Sequence, residues 1–135
     1  MTDLSPSKPS GDRSLLIVED DKPFQQRLAR AMESRGFTVR TADTVADGLQ
    51  QVEAAAPAFA VVDMRLADGN GLDVISALKK RRPEVRAIVL TGYGNIATAV
   101  ESVKLGAVDY IAKPADADDV VNALLAADGK KVEPP

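Results

Sequence analysis

Acidic, basic and hydroxyl side chains stand where four apolar segments of this sequence end. Asp20 and Asp21 follow the first segment, Asp63 ends another, and Thr91 and Lys113 stand at the ends of two later ones. Carboxylates in close contact repel one another by about 4 kcal/mol per pair at an effective dielectric constant near 20, so we expect a cation among them. A metal ion, a lysine and a hydroxyl around one aspartate form a setting in which that aspartate can accept a phosphoryl group.

Each of these side chains also has an ordinary structural explanation when it is considered alone. An aspartate at the end of a strand often caps the next turn, and acids and lysines at a sheet edge often form solvated ion pairs. The phosphoryl-transfer interpretation therefore depends on all five side chains meeting at one edge of one sheet, where ligands of open parallel sheets bind.

The composition restricts the chemistry further. The 135 residues include no histidine and no cysteine, which excludes the commonest general base, thiolate metal sites and disulfides. A site with oxygen ligands alone favours Mg²⁺. The net charge of −3 gives no support for direct DNA binding. No apolar run has the length of a membrane span or the form of a signal peptide, so we expect a cytoplasmic protein without a membrane partner.

The apolar segments predict the strands that must position these side chains. Residues 58–63 contain five apolar residues in a row and then an acid, which is typical of a strand buried on both faces of a parallel sheet. Residues 37–42 alternate apolar and polar, which indicates a strand at the sheet margin. Strands alternate with helical patterns, so we predict an α/β fold with helices on both faces of a five-stranded parallel sheet. Its strands are 14–19, 37–42, 58–63, 85–90 and 107–112.

The two ends of the chain differ in composition from the rest. Residues 1–13 have little to bury and predict a disordered N-terminal lead-in, and the polar residues 128–135 predict a linker or tail. The length of the remaining segment suits a single domain, so we place one domain at residues 14–127.

Local signals predict where several helices begin and end. Pro23 suits a first helical turn, Gly36 a helix stop, and Thr44 and Asp116 are candidate N-caps. The basic residues at 79–82 are explained by the dipole of the helix before them, with a binding patch as the alternative. A further helix is predicted from Asn95 to Gly106. The last helix is predicted to bury Val120, Val121, Leu124 and Leu125.

Four motifs resemble the signature set of bacterial response-regulator receiver domains, in order and in spacing. They are Leu15–Asp21, Val61–Leu66, Leu90–Tyr93 and Asp109–Pro114. The sequence resembles in particular the RegA, PrrA and ActR group, whose members are paired with a redox-responsive sensor kinase. The resemblance implies a flavodoxin-like doubly wound (βα)5 fold with strand order 2-1-3-4-5. Ala67 stands where many receivers have proline, so the course of the 64–70 loop is not predicted.

The resemblance also assigns chemical roles. Asp63 would be the phosphoacceptor, and Lys113 would pair with the phosphoryl oxygens. Asp20 and Asp21 would hold Mg²⁺ together with Asp63 and the backbone carbonyl of Arg65. The domain would assist its own phosphorylation and dephosphorylation without being a turnover enzyme.

The remaining implied roles concern the response to phosphorylation. Thr91 would bind the phosphoryl group and move, Tyr110 would change rotamer with it, and the Lys113–Pro114 bond would be cis. The output face would be formed by the predicted fourth helix, fifth strand and fifth helix, and a homodimer through this face is possible. The donor would be the phosphohistidine of a cognate sensor histidine kinase, which fits a chain without histidine.

Three alternatives remain open at this point. The pattern Gly92-x-Gly94-x-x-Ala97 follows a strand and is a weak match to a dinucleotide-binding turn. A phosphatase of the haloacid dehalogenase kind would need a second aspartate where Arg65 stands. The chain is expected to be the receiver part of a longer transcription regulator with a helix-turn-helix after a linker whose start resembles residues 132–135, and a stand-alone relay is the alternative.

Overall fold

The computed structural model describes residues 12–92, 104, 109–113 and 115–126. Five parallel strands form one sheet in the order β2-β1-β3-β6-β7, which confirms the predicted topology. In chain order the elements are β1 (Ser14–Val18), α1 (Lys22–Ser34), β2 (Thr38–Ala42), α2 (Val45–Ala54), β3 (Phe59–Asp63), β4 (Arg65–Leu66), β5 (Gly69–Asn70), α3 (Leu72–Arg81), β6 (Arg86–Thr91), β7 (Asp109–Ala112) and α4 (Ala117–Ala126).

The core lies on both faces of this sheet because successive side chains of a strand point to opposite faces. Leu16 and Val62 face the side covered by α2 and α3, whereas Leu15 and Val61 face the side covered by α1 and α4. Every residue of β3 is buried, as its unbroken apolar run predicts. β2 lies at the sheet edge, as its alternating sequence predicts.

The helix caps agree with the sequence signals. The Thr44 side chain accepts a hydrogen bond of 2.9 Å from the Asp47 N–H at the start of α2. Asp116 accepts one of 2.9 Å from the Asp119 N–H at the start of α4. Gly36 has φ +95° directly after the end of α1, a conformation that L side chains rarely adopt.

The amino edge of the sheet is held by ion pairs. Arg82 contacts Asp12 at 2.7 Å and Glu84 at 3.1 Å, and it also donates to the Ala56 carbonyl. Hydrogen bonds from the Ser14 side chain and the Ser14 N–H, together with the contact with Arg82, lower the pKa of Asp12 to about 2. Asp12 is therefore tied both to Arg82 and to the start of β1.

The basic residues in the last turn of α3 make contacts within the molecule. Arg81 pairs with Glu53 of α2 at 3.0 Å, and Lys79 donates to the Pro83 carbonyl at 2.7 Å. These contacts support the structural explanation of the basic run over a binding patch.

One feature was not predicted, and one differs from the prediction. Residues 64–70 form a small antiparallel hairpin in which Arg65 pairs with Asn70 and Leu66 with Gly69. Leu125 is 39 % exposed, because α4 packs onto the sheet mainly through Val120 and Leu124. The predicted helix from 95 to 106 and the Lys113–Pro114 bond involve residues outside those described. Within the described part of the chain, no helix combines the length and apolar character needed to cross a membrane.

Candidate functional site

The register of the central strands determines which side chains meet at the carboxyl edge. Val18 of β1 lies opposite Val62 of β3, so the next residues, Glu19 and Asp63, come level with each other. Asp63 lies opposite Leu90 of β6, which puts Thr91 one residue further out. Lys113 follows β7 directly, and its N–H donates to the Thr91 carbonyl at 2.8 Å.

Asp63 occupies the centre of this edge and is only 6 % exposed. Its Oδ2 accepts a hydrogen bond of 3.1 Å from Lys113 Nζ, and its Oδ1 accepts one of 3.2 Å from the Arg65 N–H. The structure therefore places Lys113 directly beside this aspartate. The carboxylate is anchored by a buried strand and held by two donors, which fixes its orientation.

Lys113 joins two acids. Its Nζ lies 3.0 Å from Glu19 Oε1 and 3.1 Å from Asp63 Oδ2. Burial acts to lower the pKa of Lys113, but the contacts with both carboxylates outweigh burial and raise it. The ammonium also lies 5.5 Å from the centre of the Phe24 ring, within cation–π range. Lys113 is therefore a fixed positive charge beside Asp63.

Glu19 is the most buried acid of the site, with 0 % exposure. Its Oε2 accepts a hydrogen bond of 3.0 Å from the Asp21 N–H. Its Oε1 lies in ion-pair contact with Lys113 but accepts no hydrogen bond. Among the described residues, it is the one buried side-chain oxygen or nitrogen without a hydrogen-bond partner. Burial, together with the neighbouring charge of Asp63, raises the pKa of Glu19 to about 7, although the contacts with Asp21 and Lys113 act to lower it.

The carboxylates of Glu19, Asp20 and Asp63 are suited to a hard divalent cation. One oxygen from each lies within 4.8 Å of the others. All three offer oxygen ligands, which Mg²⁺ prefers. The buried Oε1 of Glu19 also accepts no hydrogen bond. An exposed Asp20 beside two buried acids would leave room for the waters that Mg²⁺ retains.

The structure places one of the predicted metal ligands outside the acid cluster. Asp21 was predicted beside Asp20, but the Asp21 side chain caps α1 and accepts a hydrogen bond of 3.1 Å from the Phe24 N–H. Glu19, which the sequence analysis did not single out, takes its place in the cluster. The reason is that the chain turns into α1 directly after Asp20, so Asp21 is already part of the helix start. The signal that would have identified Glu19 is the strand register.

The other predicted residues lie where the strand ends place them. Thr91 is 1 % exposed, and its hydroxyl donates to the Gly92 carbonyl at 3.1 Å. Tyr110 on β7 pairs in register with Val89 and packs, half-buried, on the core face that α2 and α3 cover. Arg65 begins the hairpin two residues after Asp63. The metal role of the Arg65 carbonyl and the joint movement of Thr91 and Tyr110 stay predictions.

The loop after Asp63 approaches the strand closely at Gly71. A Cβ at this position would lie 2.0 Å from the Asp63 carbonyl oxygen and 2.7 Å from Val62 Cγ1. The Gly71 N–H donates to the Met64 carbonyl at 2.8 Å, and Asn70 caps the following Leu72 N–H. A glycine is therefore required for the hairpin to fold back against β3.

The raised pKa of Glu19 predicts a pH dependence of stability. A carboxyl group whose pKa is higher in the folded than in the unfolded protein contributes stability below its unfolded pKa, and this is lost as the pH rises through the folded pKa. Without divalent cations, we expect the free energy of unfolding to fall by about 2 kcal/mol between pH 4.5 and 7. Glu19→Gln should remove most of this slope, as measured by urea unfolding at several pH values.

The matched control is Glu53→Gln. Glu53 forms an exposed ion pair with Arg81, and 74 % of the Glu53 side chain is accessible. The Glu53→Gln variant should therefore show the same pH slope as the wild type. An unaltered slope in Glu19→Gln would contradict the assigned ionisation.

Comparison with known proteins gives a consistent result. A model of the response regulator receiver domain matches residues 15–125. The acid tolerance regulatory protein ActR of Rhizobium meliloti is 61 % identical over 124 residues, which cover 92 % of this chain and 64 % of that protein. The photosynthetic apparatus regulatory protein RegA of Cereibacter sphaeroides is 60 % identical over 124 residues, which cover 92 % of this chain and 67 % of that protein. The chain thus spans about two thirds of the length of these relatives.

A solved structure is similar as well. The chain resembles a response regulator protein from Burkholderia pseudomallei with a phosphorylated aspartic acid, a calcium ion and citrate, with a TM-score of 0.80 and 40 % sequence identity. The match covers 87 % of this chain and 69 % of that chain. These similarities support neither the dinucleotide-binding nor the phosphatase alternative.

Proposed function

Because this chain belongs to the response regulator receiver domain family, we propose that Asp63 accepts the phosphoryl group by which the domain signals. One observation carries the assignment: a buried carboxylate at the end of the central strand is paired with Lys113 at 3.1 Å and lies beside two further acids. No other described aspartate is both buried and paired with a lysine at the carboxyl edge of the sheet.

The chemistry follows from the positions of the side chains. An Asp63 oxygen attacks the phosphorus of the donor, the bond between phosphorus and the donor breaks, and an acyl phosphate forms. Lys113 pairs with a phosphoryl oxygen in place of one of its present carboxylate contacts. We assign Glu19, Asp20 and Asp63 as ligands of Mg²⁺, with the Arg65 carbonyl as a further ligand. When bound there, Mg²⁺ would neutralise charge on the phosphoryl oxygens.

The response to phosphorylation is proposed to pass through Thr91. Phosphorylation adds a charge of about −1.5 to −2 and three acceptor oxygens next to the Thr91 and Lys113 donors. The Thr91 hydroxyl at present donates to the neighbouring Gly92 carbonyl, which is a bond that it can exchange. Tyr110 on the adjacent strand would then repack and change the output face. The domain would thereby assist its own phosphorylation and dephosphorylation.

The partners are proposed on chemical grounds. The chain has no histidine, so a phosphohistidine donor would belong to a separate sensor histidine kinase. The relatives ActR and RegA are regulatory proteins, and we propose that this domain, placed at residues 14–127, controls transcription through an attached DNA-binding domain. It would not bind DNA itself, and a homodimer through the output face remains a proposal.

The direct test is to locate the phosphoryl group. The chain is incubated with acetyl phosphate, with and without Mg²⁺, and the acyl phosphate is mapped by peptide mass spectrometry. We expect one Mg²⁺-dependent phosphoryl group, on Asp63. A phosphoryl group on another residue, or none, would contradict the assignment.

In the same assay Asp20→Ala should raise the Mg²⁺ concentration needed for labelling. Asp21→Ala should leave that concentration unchanged but cost about 1 kcal/mol of stability, because the helix cap is lost.

A further inference from the structure

A buried amide side chain lies next to the acids but has no assigned role so far. Gln25, in the first turns of α1, is 1 % exposed. Its Nε2 lies 2.8 Å from the Glu19 carbonyl, 3.2 Å from the Ala42 carbonyl and 2.8 Å from Asp43 Oδ1. One side chain therefore links the carboxyl ends of β1 and β2 to α1. The Glu19 carbonyl is part of the peptide that joins two of the three acids.

Asp20 depends on this peptide for its position. Among the described residues, the Asp20 side chain is exposed and makes no hydrogen bond or ion pair of its own. The peptides on either side of it are fixed. The Glu19 carbonyl accepts from Gln25, and the Asp21 N–H donates to Glu19 Oε2 at 3.0 Å. Loss of the Gln25 contact would free the Glu19–Asp20 peptide to rotate, and this rotation would change the direction of the Asp20 side chain.

The Gln25 amide is delivered from a rigid part of α1. The Gln25 N–H makes the first hydrogen bond of the helix, 2.8 Å to the Asp21 carbonyl. The Asp21 side chain caps the same turn, and Pro23 restricts the backbone of that turn. The Gln25 amide is therefore fixed in place, and the Glu19–Asp20 peptide is held against it.

The acceptors explain why an amide is suited to this place. The two N–H groups of Nε2 face three oxygens, of which Asp43 Oδ1 carries charge and forms the stronger kind of hydrogen bond. Lys22 contacts the same carboxylate at 3.1 Å, and the contacts with Gln25 and Lys22 lower the pKa of Asp43. An ionised Asp43 holds the amide in the orientation in which it also reaches the Glu19 carbonyl.

We propose that Gln25 is a positioning residue for the metal site: its amide fixes the Glu19–Asp20 peptide so that both carboxylates stay beside Asp63. The inference rests on the proposed function, because it concerns the same site. It adds a residue that touches neither the cation nor the phosphoryl group.

The experiment compares three variants of the whole chain. Gln25→Met removes the donors and keeps the side-chain length. Gln25→Lys supplies three N–H donors for the same three oxygens. The matched control is Gln51→Met, because the Gln51 amide also donates to a β2 carbonyl, that of Thr41 at 2.7 Å, but projects from α2. Mg²⁺ affinity is measured by calorimetry, and the Mg²⁺ dependence of labelling by acetyl phosphate is measured separately, both well below the melting temperature.

We expect Gln25→Met to weaken Mg²⁺ binding by about tenfold, as is typical when a group that orients metal ligands is removed. Half-maximal labelling should shift by the same factor, with the maximal rate retained at saturating Mg²⁺. Gln25→Lys should restore the affinity to within about threefold of the wild type. Gln51→Met should lower stability without changing Mg²⁺ affinity.

The outcomes separate this inference from the proposed function. If Gln25→Met and Gln51→Met lose equal stability and both keep wild-type Mg²⁺ affinity, Gln25 is only structural and the inference is wrong. If Gln25→Met does not fold, Gln25→Lys decides the question. A folded Gln25→Lys with weakened Mg²⁺ binding would overturn the inference, and a folded Gln25→Lys with wild-type Mg²⁺ binding would support it. A wild-type chain that binds Mg²⁺ but accepts no phosphoryl group would overturn the proposed function alone.

Discussion

Asp63→Asn is expected to abolish phosphorylation by acetyl phosphate while the fold is retained. The amide lacks the carboxylate oxygen that attacks phosphorus, and no other described aspartate has both the burial and the Lys113 contact. Two electrostatic changes oppose each other in this variant. Lys113 loses one partner, and Glu19 loses the repulsion of a nearby charge. We therefore expect the free energy of unfolding to stay within about 1 kcal/mol of the wild type.

The measurement is incorporation of the phosphoryl group at saturating Mg²⁺, followed by intact-mass analysis, with urea unfolding of the same samples. Asp73→Asn is the matched control, because Asp73 is an exposed aspartate in the first turn of α3 and should be labelled as well as the wild type. Undiminished labelling of Asp63→Asn would remove this residue from the proposed role.

Gly71→Ala is expected to have the largest effect on stability. The added Cβ would lie 2.0 Å from a backbone oxygen of the central strand, which cannot move aside as a side chain can. The Gly71 backbone is in the right-handed helical region, with φ −60°, so the cost is steric and not conformational. We expect a loss of about 3 kcal/mol, the upper part of the usual range for overpacking. Labelling should fall by about tenfold or more, because the clash displaces Asp63 itself.

Gly48→Ala provides the control for a buried glycine. Its Cβ would approach Val18 and Val74 side-chain atoms at 3.3 Å, which can yield by a few tenths of an ångström. Alanine is also better than glycine inside a helix by about 1 kcal/mol, so this variant should be close to neutral. Urea unfolding of both variants tests the difference. Equal stabilities would show that the hairpin relaxes without cost and that Gly71 is not required for its close approach.

The location of the site was predictable from sequence because it depends on topology. In a parallel sheet, all strands end at the same edge, so Asp63, Thr91 and Lys113 had to converge once their strands were identified. The helix caps at Thr44 and Asp116 were predictable because each depends on a local contact, with the backbone N–H three residues along the chain.

The identity of the third acid depended on information that a single sequence does not contain. Glu19, Asp20 and Asp21 are consecutive acids, and their types do not reveal which of them faces Asp63. The pairing of Val18 with Val62 and the start of α1 at Lys22 decide it. Both are results of tertiary packing.

Two further differences have the same origin. β4 and β5 have two residues each, too few to show the alternation by which strands are identified. Leu125 continues the helical spacing of the apolar stripe of α4, but it lies at the edge of that stripe, where the helix turns away from the sheet. Periodicity gives the direction of a stripe, and the neighbouring elements determine how much of it is covered.

The ion pairs at the amino edge of the sheet provide a convenient attachment point for biosensor work. Glu84 is exposed there, two residues before β6, whereas the acids lie beyond the other end of the strands, about 20 Å away along the six residues of β6. Because the chain contains no cysteine, Glu84→Cys would carry its only thiol. Coupling through that thiol would immobilise every molecule in one orientation, with the proposed phosphorylation site turned toward the solution.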